Sequence, residues 1–167
     1  GDRLAVVGDH RTLLGPAFTL RLWDVTADGK LAVARDLPVD ARYDGATVHH
    51  ASFSPDGNLV AAGTVAEAVL VWDASSGQLR RCFQGGVTAH FAPDGRVLVA
   101  VTHDGEVRRF DTVTWKLIGP TQPLKRSDYI LVSRVLLAPD GKRIALGDEW
   151  TILVKDAETN PPLCRLT

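Results

Sequence analysis

Methionine is absent from all 167 residues, cysteine occurs twice, and no apolar run approaches the length of a membrane-spanning helix. Cys82 and Cys164 are too few for a disulfide framework and lack metal-ligand spacing, so they fit a reducing, cytoplasmic compartment. No block of like charges occurs, and 19 Lys+Arg against 20 Asp+Glu leave a formal net charge of −1. Without a basic stripe to release counterions from a polyanion, nucleic acid is not an expected partner, and neither is a membrane. The N-terminus carries no basic-then-apolar signal pattern. No segment sustains a 3.6-residue apolar period, so no helix is expected.

Turn formers are plentiful instead, with 15 Gly and 9 Pro. Ser54-Pro55-Asp56-Gly57, Ala92-Pro93-Asp94-Gly95 and Ala138-Pro139-Asp140-Gly141 repeat one turn, its glycines 38 and then 46 residues apart. Pro at the second position presets φ, and Gly at the fourth accepts a positive φ, which suits a turn between antiparallel strands. Each turn precedes a short run of Val, Leu, Ile and Ala, and then a second run ending in Asp. The endings are Val71-Trp72-Asp73, Arg109-Phe110-Asp111 and Val154-Lys155-Asp156, at 16, 16 and 15 residues from the turn glycine.

Gly1-Asp2-Arg3-Leu4-Ala5 reads as a further copy, closed by Leu22-Trp23-Asp24 at an offset of 23. The surplus, near residues 11–17, is expected to enlarge a hairpin loop. The strand that should precede Gly1 is missing, so the sequence is expected to be an excerpt that begins inside a repeat. The units fall at approximately 1–45, 46–86, 87–128 and 129–167, with 15 expected strands. Four short strands per period of about 40 residues predict an all-β fold of β-propeller blades, in a partial ring of about four.

These residues resemble WD40 repeats. The resemblance rests on Phe53-Ser54-Pro55-Asp56-Gly57 with Val69-Leu70-Val71-Trp72-Asp73, on Leu20-Arg21-Leu22-Trp23-Asp24, and on Phe91-Ala92-Pro93-Asp94-Gly95 with Asp104 to Asp111. It covers essentially the whole chain and looks like the degenerate repeats of large bacterial proteins. The family's hydrogen-bond tetrad is incomplete throughout. Thr64 and Trp72 match it but Ala66 stands at the Asp position; Thr102 and Asp104 match but Phe110 lacks an indole donor; Lys155 stands where Trp belongs. The resemblance implies a non-catalytic scaffold for other proteins or peptides, with no cofactor.

Catalytic and metal readings fare poorly against structural ones. His49 and His50 are adjacent on a strand and face opposite ways, so they cannot share an ion. These two, like His90, are expected to be strand or interface histidines. His103-Asp104 could be a catalytic dyad, but its place in a repeat hairpin favours a turn role. Asp73, Asp111 and Asp156 recur one per unit and are too dispersed to act on one substrate. Trp23 and Trp72 hold the packing position, whereas Trp115 and Trp150 could be exposed. In a propeller, the second-to-third hairpins and the connections between blades gather at one end of the disc. Arg11, Arg42, Tyr43, His103, Arg126, Tyr129 and Trp150 belong to those segments and form the expected partner surface.

Two alternatives remain open. Asp73 to Gly77 faintly resembles the repeat of pyrroloquinoline-quinone propellers, which would make the chain cofactor-binding or enzymatic. Pro-Asp-Gly turns also occur in exported propellers. A seven-bladed ring needs about 300 residues, so the chain is expected to form roughly half a ring. Its end blades would then bind the remainder of the propeller, or self-associate.

Overall fold

The structure, a computed structural model, describes residues 3–12, 15–39, 48–119, 134–147, 151–157, 159 and 162–166, without the side chains of 3–19, 33, 34, 49, 134 and 162. Among the described residues there are fourteen strands: β1 (Arg3–Thr12), β2 (Gly15–Val25), β3 (Leu31–Leu37), β4 (Val48–Phe53), β5 (Leu59–Thr64), β6 (Ala68–Asp73) and β7 (Leu79–Gln84), then β8 (Thr88–Phe91), β9 (Val97–Val101), β10 (Val107–Asp111), β11 (Arg134–Leu137), β12 (Arg143–Gly147), β13 (Ile152–Asp156) and β14 (Pro162–Leu166). They form four antiparallel meanders in chain order: β1-β2-β3, β4-β5-β6-β7, β8-β9-β10 and β11-β12-β13-β14.

Fourteen of the 15 expected strands lie among the described residues; where the third unit's outer strand is expected, the described segment shows one bridge, Phe110 to Leu117, and ends at 119. One expectation needs correction: the surplus residues of the first unit do not enlarge a loop. β1 and β2 run 10 and 11 residues and pair continuously from Arg3–Asp24 to Thr12–Gly15. The surplus prolongs a ladder in which backbone N–H and C=O groups satisfy each other, which an enlarged loop would not achieve.

The apolar runs alternate between two interfaces, because successive side chains on a strand point to opposite faces. On β5 and β6, Val60, Ala62, Leu70 and Trp72 pack with Leu20, Leu22 and Leu37 of the first sheet. Their neighbours Ala61, Val69 and Val71 pack with Ala89, Phe91, Leu98, Ala100 and Phe110 of the third. Val99, Val101 and Val107 of the third sheet then meet Val135, Ile144, Leu146 and Leu153 of the fourth. Sheets covered on both faces carry continuous rather than alternating hydrophobicity.

Close approach of backbones fixes the spacing at the inner strands. A Cβ on Gly63 would lie 2.3 Å from the Val87 carbonyl carbon and 2.4 Å from the Thr88 nitrogen, and one on Gly86 would lie 2.4 Å from the Val101 oxygen. The Pro-Asp-Gly turns also nestle in sequence. Gly95 sits against Pro55, and Gly141 comes within 2.8 Å, at the Cβ position, of Pro93 Cδ.

Candidate interaction surface

At one end, acidic side chains close the turns. Asp73 Oδ1 accepts from the backbone N–H groups of Ser75 (3.0 Å) and Ser76 (2.8 Å) and from both hydroxyls. Asp111 Oδ1 accepts from the N–H groups of Val113 and Thr114 and from the Thr114 hydroxyl, and Asp156 Oδ1 accepts the Thr159 N–H at 2.7 Å. Asp56, Asp94 and Asp140 each accept the N–H two residues on, from Asn58, Arg96 and Lys142. Hydrogen bonds from Ser75, Arg80 and Ser76 hold the Asp73 carboxyl well below the usual carboxylate range, and those from Thr114 lower Asp111. These carboxylates are turn acceptors. Asp24, the last residue but one of β2 and the first sheet's counterpart of these aspartates, lies 3.9 Å from Arg35 Nη2.

The opposite end carries the second-to-third hairpins. In the third sheet, Thr102 N–H donates to Glu106 O at 3.0 Å, Gly105 N–H donates to Thr102 O at 3.0 Å, and the Thr102 hydroxyl donates to Asp104. Gly105 takes φ 80° there, and Glu67 holds the corresponding left-handed position in the second sheet at φ 57°. A left-handed conformation is costly for a residue with a Cβ, and several contacts hold Glu67 in place. Its carbonyl accepts from Gly85 N–H (2.9 Å) and Gly86 N–H (3.2 Å). Its carboxylate Oε1 accepts the His103 backbone N–H at 2.8 Å. From the fourth sheet, Lys155 Nζ donates to Gly105 O at 3.3 Å. Hydrogen bonds thus link the hairpins of the second and third sheets to each other and to strand β13 of the fourth, and Val65, Ala66 and His103 are exposed at this end.

The repeat's packing position carries a different chemistry in each unit. Trp72 is fully buried and its Nε1 donates to Pro38 O at 2.7 Å. Phe110 lies 4.5 Å, centroid to centroid, from Phe83. Lys155 is as buried as Trp72. Trp23 is only half-buried. Trp115, which could have been exposed, is half-buried against Phe83, with ring centroids 6.3 Å apart, and takes φ 59° in its turn.

Sequence reasoning missed a histidine pair. His50 and His90 come from different units and stack with centroids 4.6 Å apart. His90 is buried, and among the described residues its Nε2 has no hydrogen-bond partner; nor has Thr88 Oγ1, two residues earlier on the same strand. Burial, and then the His50 ring, push the His90 imidazole down to about 4, and burial lowers His50 as well. The only available signal was the repeat spacing, which aligns the two strands but says nothing of ring contact. Arg42, Tyr43, Arg126, Tyr129 and Trp150 lie outside the described residues, as does the side chain of Arg11, whose backbone pairs with Pro16 in β1 and β2. Among the described residues, no three His, Cys, Asp or Glu side chains are grouped to hold a metal ion. No helix among them is long and apolar enough to cross a membrane.

Comparison with protein families matches residues 41–73 to WD40, described as WD domain, G-beta repeat. The matched stretch runs through β4, β5 and β6, from the first unit's exit to Asp73. None of the curated proteins matches the chain.

Proposed function

We propose that this chain, a WD40-repeat protein built of β-propeller blades, is a non-catalytic platform for protein or peptide partners. The observation that carries the reading is the use made of its polar residues. The recurring aspartates, the residues most suggestive of acid–base chemistry, are turn acceptors at one end of the disc. At the other end the Glu67–His103 hydrogen bond ties the second and third hairpins together, Lys155 of β13 holds Gly105, and Val65, Ala66 and His103 stay exposed. Rigid loops with exposed apolar and aromatic-like side chains suit peptide capture, because little ordering entropy is lost on binding. We place the chain in a reducing compartment, on its cysteine usage.

The test is selection of a displayed random-peptide library on the immobilised chain. Enriched peptides are expected to lose at least about tenfold in affinity with Val65→Glu or His103→Ala, a change of about 1.4 kcal/mol. Enriched peptides indifferent to both substitutions would refute the assigned surface.

A further inference from the structure

One turn closes the second-to-third hairpin of both the second and the third blade. Thr64 O accepts the Glu67 N–H at 2.9 Å, and Thr64 Oγ1 accepts the Ala68 N–H at 3.2 Å. Thr102 O accepts the Gly105 N–H at 3.0 Å, and Thr102 Oγ1 accepts the Glu106 N–H at 2.9 Å. The two turns are braced differently. In the third blade Asp104 takes the Thr102 hydroxyl, and a glycine holds the left-handed position. In the second blade Ala66 stands where Asp104 does and offers no acceptor, and Glu67 holds the left-handed position at φ 57°.

Glycine takes that conformation without the cost that a Cβ brings. What glutamate adds is a carboxylate, and the carboxylate leaves its own hairpin. Its Oε1 accepts the His103 N–H at 2.8 Å across the seam between the blades, the one acceptor of that N–H among the described residues. The backbone behind it is anchored to the connection leading into the third blade, because Glu67 O accepts the Gly85 and Gly86 N–H groups. Val65 and Ala66 precede Glu67 in its turn, and both are exposed, as His103 is. The exposed groups of two blades are thus held at a fixed spacing by one side chain.

We propose that Glu67 is the positioning residue of the interaction surface, clamping His103 against Val65 and Ala66 so that the partner meets both hairpins in one arrangement. The inference rests on the reading of this end as the docking face. Two free hairpins would lose conformational freedom on binding, whereas a clamped pair has lost it beforehand. The strained backbone and the bond it makes possible are two sides of one device.

Hydrogen exchange at single amides of the whole chain, read by NMR, tests the clamp without any partner. In Glu67→Gly the His103 amide is expected to exchange about tenfold faster, the worth of one hydrogen bond to a charged acceptor. Amides of the blade cores are expected to keep their protection, because relief of the left-handed strain offsets the lost bond. Glu67→Gln offers an amide oxygen to the same donor and is expected to stay within about threefold of the wild-type rate at His103. Peptides enriched on the wild-type chain are expected to bind Glu67→Gly about tenfold more weakly and Glu67→Gln within about threefold of wild type. Unchanged His103 exchange in Glu67→Gly overturns the clamp, and faster exchange throughout the blades overturns it in favour of a merely structural residue. Faster exchange at His103 with unchanged peptide affinity overturns the positioning role, as does equal loss of affinity in Glu67→Gly and Glu67→Gln, which would make the carboxylate a contact. Failure of the docking face itself reads differently, as peptides indifferent to Val65→Glu and His103→Ala, and the positioning role falls with it.

Discussion

At the residue scale, Trp72, Phe110 and Lys155 show one packing position served by three chemistries. An indole nitrogen donates to Pro38 O, a phenyl ring packs on Phe83, and an ammonium donates to Gly105 O. What the position demands is bulk, with a partner for any polar atom buried there. The His50–His90 pair leads to a pH dependence. His90 has its folded-state value depressed to about 4 from 6.5, so its neutral form stabilises the fold above pH 6.5. That stability is lost as pH falls from 6.5 toward 4, because the unfolded chain then binds more protons. Between pH 7 and pH 5 the loss from this group is about 2 kcal/mol, at about 1.36 kcal/mol per unit. Urea unfolding at the two pH values is expected to show it, with most of the drop gone in His90→Leu. An equal drop in both proteins would exclude this histidine as the cause.

At the element scale, the turns were legible because their chemistry is local. Asp56, Asp94 and Asp140 bond the N–H two residues on, within reach of sequence reasoning. Approach between elements was not legible. Nothing in Ala62-Gly63-Thr64 announces that Gly63 faces the Val87 backbone, nor does the spacing of His50 and His90 announce a stacked pair. The prolonged β1–β2 hairpin was misjudged because a count of surplus residues does not distinguish a loop from a longer ladder. The glycines separate these effects. Gly63→Ala forces a Cβ to within 2.3 Å of backbone and is expected to cost about 3 kcal/mol or more. Gly29→Ala, at φ 77° with nothing within 4 Å, meets conformational strain alone and is expected to cost about 1 kcal/mol. Chemical denaturation of both variants checks the order, and a costlier Gly29→Ala would contradict it.

At the scale of the whole molecule, the three apolar clusters each span two adjacent blades, so stability is a sum of nearest-neighbour interfaces. Leu70→Ala removes bulk between the first and second blades and is expected to cost about 2–5 kcal/mol. Hydrogen exchange is expected to quicken in β1–β3 and β4–β6 while β11–β14 stay protected; uniform loss of protection would show a single cooperative unit instead. The alternating faces of β5 and β6 also set a shape. Near the inner strands the second and third blades meet through Ala61, Gly63, Ala89 and Ala100, and farther out through Phe83, Phe110 and Trp115. The space between these two blades is therefore narrow toward the axis and wide at the rim, and that taper fixes the angle between them. Enlarging the narrow edge would flatten that angle and raise the number of blades needed to close a circle. Side-chain volume along a few ladder positions is thus a measure of curvature, as the taper of its stones is for an arch.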